Sequence, residues 1–389
     1  MTSSEPTKNE AELTVRLAPS VGSFDRDAWN ALGGDRNPFV SHEFLTAMED
    51  SGSVGEGTGW DPVPIVIQDA QEQLLAAMPS YAKGHSQGEY VFDHHWASAY
   101  ERAGGRYFPK LVCAAPFTPV TGPRFLAPSA ALRGALASAA ASAASQLGVS
   151  SLHVNFVNDD DLAIGPGADY LRRDGVQYHW VNRGFETYDD FLATLASRKR
   201  KTVRRERRDA ANAGLVFKTL RGKEITEPYW DAFWRFYQDT GARKWGHPYL
   251  TRRFFTIIAD TMTDDLVFFV AERDGTPIAG ALNFLGGDAI YGRYWGCTEY
   301  YPFLHFELCY HQAIDFAIAH RLARVEAGAQ GEHKIARGYE PVATHSLHWI
   351  GDAGFRQAIE NYLDQERRQN DAEIEYLSDY TPFKKEPSS

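Results

Sequence analysis

The sequence predicts an α/β (α+β) fold built from two tandem units, each a mixed, mainly antiparallel sheet flanked by helices. Three observations point there. The chain has 389 residues, more than one hydrophobic core usually organises, so two domains are expected. Its composition, 43% hydrophobic with 13% aromatic, is that of an ordered protein able to bury large cores. A plan of strand, turn, strand, strand, helix and returning strand occurs twice along the chain.

In the first unit, residues 63–68 read as a strand, 69–73 as a turn, and 74–81 and 89–92 as further strands. Trp96 then opens a helix that runs through Glu101. The Ala- and Ser-rich segment 130–147 reads as a tightly packed helix stopped by Gly148, and 151–157 as the returning strand. The second unit repeats this with a strand at 266–272, a turn carrying Asp274-Gly275, strands at 278–285 and 289–295, a helix from about 304 to 320 and a return at 323–327. The step from Glu89 to Trp96 equals that from Asp288 to Trp295, which suggests duplication of one unit. A break is expected near 170–185, where Arg172-Arg173-Asp174-Gly175 precedes a strand at 177–182. The expected division is a polar tail (1–20), a first domain (21–180), a second domain (181–375) and a C-terminal tail (376–389). Trp230, Phe233, Trp234 and Tyr237 recur at helical spacing and read as a core stripe.

The net charge of -11 argues against generic nucleic-acid binding, but the charge is uneven. Eight of the eleven residues from Arg198 to Arg208 are basic. On a helix Arg198, Lys201 and Arg205 share a face with Arg208, and like charges at that spacing repel. Such a face suits phosphates or acidic side chains; a solvated surface is the competing reading. Cys113, Cys297 and Cys309 share no metal-type spacing and are too few for a disulfide framework, so a reducing compartment, the cytoplasm, is expected. The first dozen residues lack the pattern of a signal peptide, and no apolar stretch is long enough to span a bilayer.

The richest stretch is 324–338, which passes from a short β-branched strand into a polar, glycine-rich loop. Within it Glu326, Glu332 and His333 supply proton-transfer groups, and Gln330, Lys334 and Arg337 supply groups for anions. No Gly-x-Ser-x-Gly elbow or Walker loop is present, and Gly55-Glu56-Gly57-Thr58-Gly59 lacks the strand-to-helix setting of a dinucleotide fingerprint. Glu307 and His311, with His305 nearby, lie four apart on one helical face but lack a further ligand set, so no metal is expected.

The stretches His42-Glu43-Phe44-Leu45, Gly88-Glu89-Tyr90-Val91-Phe92-Asp93, Pro116-Phe117-Thr118-Pro119-Val120-Thr121-Gly122-Pro123-Arg124, Tyr294-Trp295-Gly296-Cys297 and Gly328-Ala329-Gln330-Gly331-Glu332-His333-Lys334 resemble the bacterial FemAB-like branch of the GNAT superfamily. The resemblance covers roughly residues 20 to 375. It implies tandem GNAT-like domains and transfer of an acyl or aminoacyl group to an amine, the acceptor being a small molecule or a cell-wall precursor. It also implies that 289–295, with Arg293, Tyr294 and Trp295, is the donor strand, beside a splay in the sheet. Glu326, at the expected strand end, becomes the first candidate base, followed by Glu332 and His333. The stretch 296–304 departs from the glycine-rich coenzyme A loop of GNAT enzymes and carries Glu299, so acyl-CoA and aminoacyl-tRNA both stand as donors. The alternative is a non-catalytic protein that grips a cell-wall precursor or polyanion through 198–208.

Overall fold

The computed structural model describes residues 13–33, 37–244, 248–328 and 331–384. Its strands are, in chain order, β1 (Thr14–Leu17), β2 (Trp60–Pro62), β3 (Ile65–Gln68), β4 (Leu74–Met78), β5 (Ser80–Lys83), β6 (Lys110–Cys113) and β7 (Ser151–Val157), then β8 (Leu171–Val181), β9 (Val216–Arg221), β10 (Leu266–Arg273), β11 (Thr276–Gly286), β12 (Ala289–Cys297), β13 (Arg324–Glu326) and β14 (Glu340–Ile350). β1, β3 and β4 form a small antiparallel sheet. The others form one continuous sheet of eleven strands, in the order β2, β5, β6, β7, β14, β8, β13, β12, β11, β10, β9.

That order reveals an exchange at the middle of the molecule. β8 follows the first half of the chain yet pairs with β13, whereas β14 follows the second half yet pairs with β7. The two exchanged strands also pair with each other over nine residues. Two parallel pairs, β6 with β7 and β12 with β13, occupy corresponding places on either side and are otherwise flanked by antiparallel neighbours. This is the tandem GNAT-like plan. Helices cover both faces, and one apolar core runs across both halves, with Phe39 and Phe44 of the first against Phe254, Phe284 and Tyr291 of the second.

Local chemistry explains most elements. Ser129 caps the helix Ala130–Leu147, and Gly148 ends it in the left-handed region, as the composition suggests. Asp274 and Gly275, both at positive φ, close the hairpin between β10 and β11. The basic run forms the helix Ser197–Ala211. Trp230 and Phe233 of the stripe are core residues, with Trp234 and Tyr237 packed against them.

Several expectations fail for identifiable reasons. Residues 89–92 form no strand, because Glu89 is drawn inside to a buried ion pair with Lys110 and Tyr90 adopts φ 60. The matched spacing of Glu89 to Trp96 and Asp288 to Trp295 therefore does not align equivalent elements; the counterpart of β12 is β6, which lies outside that step. The break sought near Arg172 to Gly175 is instead the interior of β8. β1 lies within the expected N-terminal tail, and the expected C-terminal tail begins inside the helix Ala353–Asp379.

Candidate active site

The two parallel pairs share a design but differ in what happens beyond it. β12 and β13 pair only from Ala289 with Arg324 to Tyr291 with Glu326, after which β13 ends and β12 continues to Cys297. At this point β12 also breaks register with β11: Gly292 faces Asn283 and Tyr294 faces Leu282, so Arg293 is the extra residue of a β-bulge. Bulges bend a strand and re-aim side chains beside active sites. Here the bend accompanies the loss of the parallel partner, and a cavity of about 550 Å3 opens along Gly292 to Trp295.

The corresponding gap beyond β6 and β7 is closed by the chain itself. Residues 114–124 loop out and return so that Gly122 bridges to Val157 and donates its N–H to the Phe156 carbonyl. Arg124, fully buried, fills the remaining space and donates to the carbonyls of Val120, Pro123 and Asn155. The first half thus has a filled cleft, and Phe117 and Pro119 of the same loop become a wall of the cavity in the second half.

That cavity is ringed by aromatic groups. Phe117 stacks on Tyr249 at 4.7 Å, and Tyr294 meets Tyr237 edge-on at 5.7 Å. On the far side lie His305, Tyr310 and His333, with the Tyr310 hydroxyl 2.8 Å from His333 Nε2. Cys309 and Tyr310 project from a π-turn, Glu307–His311, inserted in the helix 304–319. Such turns are frequent at functional sites. Gly331 is required beside them, because a Cβ there would sit 2.5 Å from the His333 ring. Arg293 anchors the bulge by donating to the Phe117 carbonyl at 2.7 Å. Burial pushes the Tyr294 phenol up to about 12.

Lys334 supplies the one strongly altered cation at this place. It is 1% exposed, donates to the Gly328 carbonyl at 2.6 Å, and has no ion-pair partner among the described residues. Burial lowers it from 10.5 to about 7, and the two ionisable groups it senses, Cys309 and Arg293, are both cavity-wall residues. A half-neutral amine can accept a proton near neutral pH.

The sequence-predicted residues therefore separate. Arg293, Tyr294, Trp295 and His333 line the cavity; Lys334 is buried and not among the lining residues, but it senses two that are, Cys309 and Arg293. Glu326 does not: it faces a different recess of about 400 Å3, 2.9 Å from Arg324 and 3.7 Å from His179. Glu332 is exposed and does not line the cavity. Arg337 is buried and grips Glu206 with both arms of its guanidinium, at 2.8 and 3.0 Å, over the Phe306 ring. Arg198, Lys201 and Arg205 lie together on an open recess of the basic helix. Gln330 lies outside the described residues. Of the residues weighed for metal, Glu307 pairs with Arg207 and His311 bonds the Tyr188 hydroxyl. Tyr90, Tyr237, Tyr249, Asn283 and Tyr310 were not legible as cavity residues; only the aromatic stripe containing Tyr237 carried any signal, and it read as core.

A family model, FemAB-like, described as peptidoglycan biosynthesis and recognition, matches residues 20–385. No curated protein matches the sequence. Among solved structures, the chain is similar to FemX, with TM-score 0.53 and 12% identity over 87% of this chain and 98% of that one. It is also similar to the C-terminal domain of a putative lysylphosphatidylglycerol synthetase from Agrobacterium fabrum, with TM-score 0.56 and 8% identity over 88% and 97%. A third likeness is to L-PGS from Bacillus licheniformis, with TM-score 0.50 and 9% identity over 90% and 98%. At these identities the likenesses show a shared fold. Among the described residues no helix is long and apolar enough to cross a membrane.

Proposed function

The chain belongs to the FemAB-like family of peptidoglycan biosynthesis and recognition, and from that premise we propose that it is an N-acyltransferase that moves an acyl or aminoacyl group from an activated carrier to an amine, with a cell-wall precursor as acceptor. The observation that carries this reading is the gap beyond Tyr291 and Glu326, where β12 runs on without its parallel partner along a cavity of about 550 Å3. Unpaired strand backbone can hydrogen-bond an extended donor arm as a strand would, and its N–H groups can stabilise the oxyanion of a tetrahedral intermediate.

In this mechanism the acceptor nitrogen attacks the donor carbonyl carbon. The C–N bond forms, the C–O or C–S bond to the carrier breaks, and the proton lost by the ammonium passes to neutral Lys334 and then to the departing carrier. Lys334 replaces Glu326 as the first candidate base because it senses two cavity-wall residues, Cys309 and Arg293, whereas Glu326 is held by Arg324 on a different recess. His333, paired with Tyr310, is placed to orient the acceptor.

Two observations favour a nucleic-acid carrier, aminoacyl-tRNA, over acyl-CoA. The turn after β12 is bulky, with Phe303 at φ 65 before an uncapped helix start, and Glu299 is committed to Arg273 at 2.7 Å. The basic helix packs directly behind the 332–337 loop through Glu206 and Arg337, and its Arg198, Lys199, Lys201 and Arg205 are exposed without acidic partners among the described residues. Phosphate contacts of this kind give binding that weakens steeply with salt. The test is a thermal-shift and turnover screen with acetyl-CoA, an aminoacyl-RNA minihelix and a UDP-linked muropeptide. Stabilisation by a carrier together with Lys334-dependent product supports the enzyme; response to the muropeptide alone, without product from any carrier, supports a recognition protein.

A further inference from the structure

Tyr90 separates the main cavity from a second one of about 270 Å3, which lies over the exchanged strands β8 and β14 and beside the helix Ala353–Asp379. Most of its polar groups are committed to one another. Asp174 accepts from His345 Nδ1 at 2.8 Å and from Arg172 at 2.7 and 2.9 Å, while Arg173 grips Glu366 with two bonds of 2.8 Å. Asn370 Nδ2 donates to the Asp174 carbonyl at 2.7 Å. Three groups remain without protein partners among the described residues: His345 Nε2, Thr344 Oγ1 and Asn370 Oδ1. With the His345 Nδ1 hydrogen and one of the two Asn370 amide hydrogens already engaged, Nε2 of a neutral His345 and Oδ1 of Asn370 present lone pairs, and the hydroxyl can give or accept.

The charges pair off, two arginines against two carboxylates, so an ionic ligand meets no uncompensated charge. An ammonium would need Asp174 or Glu366, and both are held by arginine. What the cavity lacks is hydrogen-bond donors from a ligand that is neutral overall. Aromatic faces complete it: Tyr90, Phe156 and Phe92, the last 52% exposed at its edge. Tyr90 and Phe156 sit at φ 60 and 56, in the left-handed region that costs a bulky residue about 1–2 kcal/mol. Strain of this kind collects at ligand-binding walls. The volume lies under the range of about 300–1,000 Å3 usual for whole small-molecule sites, which suits one ring.

We infer that this second cavity is a subsite for a neutral, hydroxyl-bearing ring, a pyranose, stacked on the aromatic wall with its hydroxyls donated to His345, Thr344 and Asn370. The assignment of that ring to the acceptor rests on the transfer reading; the binding itself does not. Saturation-transfer NMR of the full chain with methyl β-glucopyranoside and N-acetylglucosamine, and with methylamine as the charged comparison, tests it. Ring protons of both sugars should saturate with the native chain, and the signal should fall about fivefold, the worth of one hydrogen bond, in Thr344→Val. Phe92→Ala, at an exposed ring, should lower it similarly with an unchanged melting temperature. Absence of saturation, equal saturation in both variants, or saturation of methylamine alone would overturn the subsite. Lys334→Met should bind the sugars as the native chain does. Sugar binding without transfer to any acceptor sinks the transfer reading and leaves the subsite; Lys334-dependent transfer without sugar binding does the reverse.

Discussion

Lys334 and Lys83 are both buried and both lowered by burial from 10.5 to about 7. Between those values the unfolded chain holds two protons that the folded chain has lost, so unfolding free energy should rise with pH from about 7 to 10.5, by about 1.4 kcal/mol per pH unit per lysine. Below about pH 7 both are charged in either state and contribute no slope. Denaturant titrations across pH should show the rise, and Lys334→Met should remove one lysine's share of it. If Lys334 is the base, turnover rises as pH passes through about 7, and the same variant loses at least about 100-fold, the lower end of general-base effects. Arg337 behaves differently. Removing it leaves Glu206 buried with only His311, 3.6 Å away, beside its carboxylate, so Arg337→Ala should cost about 3 kcal/mol of stability, and Arg337→Lys should not restore it because the two-armed grip is lost. A wild-type denaturation midpoint in Arg337→Ala would contradict its structural role. The sequence showed that Lys334 and Arg337 share a polar loop; it did not show that one senses the cavity wall and the other turns toward the basic helix, because that depends on Glu206, more than a hundred residues away.

At the scale of elements, β12 is the decisive piece, and its glycines act by close approach. A Cβ on Gly296 would lie 2.2 Å from the Phe236 carbonyl oxygen, a backbone atom that cannot swing aside. Gly296→Ala should therefore destabilise the protein by about 1–3 kcal/mol, as overpacking does, read as a lower melting temperature. At Gly292 a Cβ meets the Asn283 side-chain oxygen at 3.2 Å and, in ordinary contact at 3.6 Å, the Ala327 Cα and the Glu326 carbonyl, beside the cavity. Gly292→Val should raise the KM for the donor by at least about tenfold with a smaller loss of stability. β12 was legible from its place after a hairpin. The bulge at Arg293 was not, because a register shift is a property of two strands. The error at 89–92 has the same origin: Tyr90 to Phe92 favour a strand locally, and the buried Glu89 and Lys110 pair overrides that preference.

Across the whole molecule, the exchange of β8 and β14 makes the halves interdependent. Each parallel pair takes its central neighbour from a strand that follows the other half of the chain, and the core around Phe39, Phe284 and Tyr291 spans both. Calorimetry should show one cooperative transition, and a chain ending before Glu340 should not fold; two separate transitions would contradict the interdependence. The tandem plan was legible from the repeated strand and helix order, but the halves were expected to part near residue 180, since nothing local marks a strand that crosses over. Among the described residues the gap beyond β6 is plugged and the one beyond β12 is open, and the transfer reading puts the donor in the open one. Hydrogen exchange of the amides from Gly292 to Trp295 measures that claim directly, with an aminoacyl-RNA minihelix and acetyl-CoA as the added carriers. Slowed exchange at these amides with one carrier, abolished in Gly292→Val, is the predicted result. Unchanged exchange there with both, or protection confined to 114–124, would contradict it.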